Sequence, residues 1–129
     1  MLEERFQLPA ISALDALARA RHPRSDSPKD DSANKQTTLI DLRKPPAIVK
    51  SGKRIRGSHT RDPYAFDHSD PLMHADGPLI TFCVHGHEVS QFACALLMLH
   101  GRDVHYVIGV FEALVAAGAE LRDFRIGHR

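Results

Sequence analysis

The side chains most able to do chemistry in this chain fall together in the run Cys83-Val84-His85-Gly86-His87-Glu88-Val89. A thiol attacks as its thiolate, so Cys83 becomes a nucleophile where nearby positive charge or unpaired backbone N–H groups hold its pKa below the usual ~8.5. His85 and His87 change charge near neutral pH, which suits them to donate a hydrogen bond to substrate or to shuttle a proton; solvated loop histidines would look the same. Cys83, His85, His87 and Glu88 are also types that bind zinc. Zinc sites that start from one such run are completed by a distant ligand pair, and the nearest candidates, His59 and His74, lack motif spacing, so no metal is expected. Cys94, the other of only two cysteines, lies among Ala93, Ala95 and Leu97 and reads as core, with a resolving thiol as the alternative.

For Cys83 to act, the chain must present it where free N–H groups converge. Leu79 to Val84 is a continuous apolar run of strand type, preceded by the Asp76-Gly77-Pro78 turn and followed by Gly86. Val89, Phe92, Ala93, Leu96, Leu97 and Leu99 then carry helical spacing to His100, where Gly101 ends the helix. This order predicts Cys83 at the carboxyl end of a strand, with the N–H groups of a glycine turn and of the first helical turn facing the sulfur.

The same alternation recurs. Thr38 to Leu42 reads as a buried strand stopped at Arg43-Lys44-Pro45-Pro46, Val104 to Ile108 as a strand, and Phe111 to Ala117 as a helix closed by Gly118. Near the start, Ile11, Leu14, Leu17 and Ala18 share a helical face, which predicts a helix from Ser12 to Arg21 with Ser12 and Asp15 as a capping box. His22 to Thr37 holds Ala33 as its one apolar residue and is predicted to be a mobile surface loop. Gly52, Gly57, Pro63 and Pro71 break Ala47 to His74 into short helices and loops, and the polar tail from Arg122 is expected to fray. Strands alternating with helices predict an α/β fold: a mostly parallel sheet covered by helices on both faces.

Composition narrows the partners. A chain of 129 residues, 43% hydrophobic, holds one core. Seventeen basic against sixteen acidic residues, with no dense basic block, do not suggest a nucleic-acid partner. No apolar run approaches the ~20 residues that cross a bilayer, and Met1 to Phe6 carries three charges instead of a signal-peptide pattern, so the expected setting is cytoplasmic, with no membrane partner. No motif bears on the oligomeric state.

Four motifs in register resemble a single-domain rhodanese over Thr38 to Ala117. They are Leu39-Ile40-Asp41-Leu42-Arg43 for the family's strand ending Asp-x-Arg, Ile55-Arg56-Gly57-Ser58 for its Ile-x-Gly-Ala turn, Cys83-Val84-His85-Gly86 for the start of its active-site loop, and Val107 to Gly118 for its last strand, turn and helix. The resemblance implies a small three-layer rhodanese-like domain over residues 38–129, preceded by a helix and linker over residues 1–37. It also implies a sulfurtransferase in which Cys83 takes sulfur from a donor such as thiosulfate or a persulfide, holds it as Cys–S–SH, and passes it to a thiol acceptor. Val84 to Val89 would form the loop around that sulfur, and no cofactor would be needed. Asp41 and Arg43 would tie loops together through a charge-assisted hydrogen bond.

Three features depart from the pattern. The spacing from Cys83 to Gly101 is one residue longer than usual, a loop size the superfamily associates with dual-specificity phosphatases and arsenate reductases. The phosphatase signature places an arginine at the seventh loop position, which here is Val89. The loop contains no Lys or Arg but does contain Glu88, so a dianionic donor would be repelled unless Arg56, Arg61 or protonated His85 and His87 offset that charge. Val110 and Leu114 stand where the family has glycine and tryptophan. The alternative functions are therefore a regulatory module that senses thiols or oxyanions through Cys83, or a phosphatase or arsenate-reductase-like enzyme.

Overall fold

The structure is a computed structural model and describes residues 8–21, 37–67, 69–74, 77–84 and 88–123. Its centre is a five-stranded parallel sheet in the order β1 (Ala10–Ser12), β6 (Val104–Ile108), β5 (Leu79–Phe82), β2 (Thr38–Asp41), β4 (His59–Thr60). Helices α1 (Ala13–Arg21), α2 (Pro45–Ser51), α3 (Glu88–Leu99) and α4 (Val110–Ala116) connect the strands. A second, two-stranded antiparallel sheet pairs β3 (Lys53–Ile55) with β7 (Leu121–Asp123). The predicted α/β architecture is the one observed.

Alternation along the strands sorts side chains between the two faces. Leu39, Ile80, Phe82 and Val107 pack with Ala16 and Leu17 of α1 and with Phe111 and Leu114 of α4. Ile40, Leu42, Leu79, Cys83 and Val104 pack with Ala93, Cys94 and Leu97 of α3. Each large side chain fully buried in these layers contributes about 1.5–3 kcal/mol by leaving water. The Cys94 thiol is pushed up to about 11 by burial, a thiol that stays protonated at neutral pH, and its sulfur lies 3.8 Å from the Val104 carbonyl oxygen. It is core.

Several expectations need correction. Ile11, read as part of the helical face, lies instead in an edge strand of residues 10–12 beside β6, and the helix begins at Ala13, while the Ser12 hydroxyl accepts the Asp15 N–H at 3.1 Å and caps α1 as predicted. The buried face of α1 is Ala13, Ala16 and Leu17, whereas Leu14 is 66% exposed and Ala18 is also exposed. On α3, Phe92 and Leu99 likewise face out. Pro45 and Pro46 begin α2, because a proline at the first helical position lacks only an N–H that would go unpaired there. The stretch expected to hold only short helices and loops also contains β3 and β4, and Leu121–Asp123 is a strand on β3, not a frayed end. The predicted mobile loop falls, apart from Thr37, outside the described residues.

The turn into α4 is conformationally costly. Gly109 has φ 101°, and a Cβ there would stand 2.7 Å from that of Ala113; Val110 follows at φ 63°, a left-handed value that β-branched residues strongly avoid. This geometry brings the Phe111 N–H within 2.7 Å of the Cys83 carbonyl oxygen. Replacing Val110 by glycine is expected to give a more stable protein than replacing it by alanine, by about 1 kcal/mol, the reverse of the order in a right-handed helix. Urea denaturation of the two variants checks the order.

Candidate active site

The parallel sheet leaves the carboxyl ends of β2, β4 and β5 side by side. Asp41 is level with Phe82 on one neighbour and with Thr60 on the other, so the next residues, Leu42, Cys83 and Arg61, leave the sheet abreast. Cys83 follows the last residue of β5 and is 2% exposed. Its sulfur faces α3, 3.6 Å from the hydroxyl oxygen of Ser90, itself fully buried. Ser90 is fixed in turn by its carbonyl oxygen, which accepts the Thr81 hydroxyl at 3.1 Å. Beside the thiol opens a cleft of about 380 Å³, lined among others by Arg43, Lys44, Pro46, Val84 and Val89.

Asp41 and Arg43 form a fully buried pair on the opposite face of the sheet. The Arg43 guanidinium donates through Nε and Nη2 to the Asp41 carboxylate, at 2.7 Å for the shortest contact, through Nη1 to Ser51 Oγ, and through Nη2 to the Lys53 carbonyl oxygen. Four of its five N–H groups are thus engaged, and its carbon lies 3.8 Å from the centre of the Phe111 ring. Arg43 reaches the cleft as a wall held in place and not as a mobile anion clamp.

The site residues read from the sequence separate here. Cys83, Val84, Val89 and Arg43 line one cleft, and Asp41 holds Arg43. Glu88 begins α3, and His85, Gly86 and His87 lie outside the described residues. Arg56 is not brought to this group: it follows β3 toward the amino-terminal end of β4, and its guanidinium pairs with Glu120 at 2.8 Å in the open. Arg61 does stand at the correct strand end, but its charge is bonded to Asp70 through Nε at 2.6 Å. Among the described residues no group of three His, Cys, Asp or Glu side chains could hold a metal. Ser90 was missed, although it left a signal: it is a polar residue at the spacing of Ala93, Cys94 and Leu97, on the buried stripe of α3.

Removing one partner of the Asp41–Arg43 pair leaves a buried, uncompensated group. Asp41→Ala is therefore expected to cost about 3–5 kcal/mol, and Asp41→Leu combined with Arg43→Met to cost less than either single change, as measured by denaturant unfolding. The Asp70 carboxyl responds to opposing influences. Its burial raises the pKa, but the hydrogen bonds from Arg61 and the Leu72 N–H, with the Arg61 charge, outweigh that and leave it below the ordinary value. A depressed folded-state pKa contributes stability that is complete above the unfolded value and lost as pH falls through the folded one. Asp70→Asn should thus destabilise the protein at pH ~6, with the gap to wild type closing below pH ~4; thermal unfolding across that range reads it.

The sequence matches no family model and no curated protein. Solved structures are similar to it. A protein of unknown function from Rhodopseudomonas palustris, described as a possible tyrosine phosphatase, aligns with a TM-score of 0.68 at 20% identity over 89% of this chain and 85% of its own. A thiosulfate sulfurtransferase from Pseudomonas aeruginosa aligns at 0.68 and 17% identity over 95% of this chain, which spans 21% of that longer one. A rhodanese-related protein from Thermoplasma volcanium aligns at 0.62 and 16% identity, over 88% of this chain and 97% of its own. The shared architecture makes the fold of this chain that of a rhodanese-like domain.

Proposed function

We propose that the protein is a sulfurtransferase that carries sulfane sulfur on Cys83. The reading rests above all on the Cys83 thiol, which stands at a strand end beside a cleft with a buried hydroxyl 3.6 Å away. A hydroxyl both accepts and donates, so Ser90 accepts from the thiol and turns to donate once the sulfur is a thiolate or a persulfide anion. The amino-terminal end of α3 lies on the same segment, and the helix dipole favours negative charge at that end.

The cycle balances without a cofactor. The Cys83 thiolate attacks the outer sulfur of thiosulfate, the donor's S–S bond breaks, sulfite leaves with the electron pair, and Cys83 keeps the outer sulfur as a persulfide. An acceptor thiolate then attacks that outer sulfur, takes it as its own persulfide, and the Cys83 thiolate leaves.

A phosphatase is the weaker reading on the same observations, because it needs a guanidinium free to clamp a tetrahedral oxyanion, and among the described residues the arginine lining the cleft has four of its five N–H groups committed elsewhere.

Incubation with thiosulfate or an organic persulfide is expected to add the mass of one sulfur atom to the wild-type protein and nothing to Cys83→Ser. Ser90→Ala should lower kcat/KM by roughly 10- to 100-fold, the loss of one hydrogen bond to a charged group. A wild-type protein that gains no sulfur from any sulfane donor excludes the reading.

A further inference from the structure

The Cys83 cleft does not end at the thiol. It shares Arg43, Lys44 and Pro46 with a second cleft of about 520 Å³, floored by Pro45, Pro63 and Tyr64. That one shares Pro45, Thr60 and Arg61 with a third, of about 450 Å³, lined by Ile48, Val49, Arg54 and His59. Through these shared residues the three clefts adjoin one another, from the carboxyl ends of β5 and β2 to the outer edge of the sheet, where the third runs along β4 from Arg61 back to Ser58. Cys83 and Arg61 stand two strand spacings apart, about 10 Å, so the far wall is well beyond the reach of a molecule the size of thiosulfate.

The chemistry changes along the groove. Its middle is largely apolar, lined by Pro45, Pro46, Ala47 and the exposed ring of Tyr64, which packs at a tilt against Phe92 at 5.3 Å between ring centres. Lys44 is exposed. At the far end Arg54 is held by one bond, Nη2 to the Ser58 carbonyl oxygen at 3.0 Å, and its Nε is buried without a hydrogen-bond partner. Arg61 beside it is neutralised by Asp70, while none of the ion pairs among the described residues involves Arg54. A half-buried guanidinium with donors to spare is a seat for a carboxylate or phosphate. Near the thiol, by contrast, the guanidinium of Arg43 has four of its five N–H groups engaged and offers a compact dianion little.

We infer that the preferred sulfur donor is an elongated organic persulfide, R–S–SH, with its sulfur at Cys83, an apolar body in the Pro46–Tyr64 part of the groove and an anionic end at Arg54. This rests on Cys83 being the sulfur carrier. In the step itself the Cys83 thiolate attacks the outer sulfur, the donor's S–S bond breaks, R–S⁻ leaves with the electron pair, and Cys83 becomes Cys–S–SH. The groove retains R through the step by contacts made far from the reacting atoms, which is how remote binding energy is applied to a reaction.

The persulfides of ω-mercaptohexanoate and ω-mercaptohexanol test this, because they share a leaving group and differ only at the far end. The acid is expected to be the better donor by about tenfold in kcat/KM, expressed in KM. In Arg54→Gln the ratio of the two should fall toward one, and in Arg54→Lys, which keeps the charge, most of it should survive. Nuclear magnetic resonance gives a readout without turnover: reduced ω-mercaptohexanoate should shift the amide signals of Ser58, Thr60 and Arg61 at lower concentration than the alcohol does. Equal donors, or a ratio that Arg54→Gln leaves unchanged, overturn the groove assignment even where Cys83 takes up sulfur. Uptake from no donor overturns sulfur transfer, and the amide titration then decides the groove by itself.

Discussion

The buried ion pair of Asp41 and Arg43 is the constraint on which the site end of the molecule depends. Two charges withdrawn from water are worth keeping only when nearly every donor and acceptor is matched, and Arg43 meets that demand by reaching four separate pieces of chain. It bonds Asp41 at the end of β2, Ser51 at the end of α2, the Lys53 carbonyl in β3, and lies on the ring of Phe111 in α4. Phe111 passes the constraint on, since its N–H holds the Cys83 carbonyl and its ring stacks near Phe82 at 6.3 Å. The nucleophile is thereby positioned through the backbone on one face of the sheet while its sulfur points to the other.

That division of labour follows from strand parity. Asp41 and Phe82 are paired neighbours, so Cys83, one residue on, turns toward α3. There the sulfur meets Ser90, a hydroxyl enclosed by apolar packing, whose hydrogen bond is stronger for lying out of water. The turn that aligns Phe111 with Cys83 carries Val110 in a left-handed conformation, and such strain persists only where the surrounding packing over-determines it.

The long elements were legible because each carries its own pattern. β2, β5 and β6 are apolar and β-branched runs bounded by turns, and α3 and α4 repeat apolar residues at helical spacing and end at glycine. The two- and three-residue strands were not. Ala10–Ser12, Lys53–Ile55, His59–Thr60 and Leu121–Asp123 have no periodicity to read, and what makes them strands is the partner each finds. The buried face of α1 was misjudged for a related reason: alanines pack where the helix approaches closely, leaving Leu14 outside. In the site, Cys83 was visible from its place between strand and glycine, while Ser90 was hidden inside an apolar stripe, and Arg56 was grouped with it by charge although it sits at the other end of the strands.

By itself, the sequence determined that the chain is α/β, that Cys83 follows a buried strand, and that Val89 occupies the loop position where a phosphatase would need an arginine. Local spacing suffices for these, because they concern neighbours along the chain. Only the tertiary structure decided that Asp41 and Arg43 bury each other, that Ser90 meets the thiol, and that Arg54, twenty-nine residues before Cys83, lines a cleft joined to that of Cys83 through a third between them. Those depend on which strands pair and in what register, and pairing is a property of surfaces that meet only after the chain has folded.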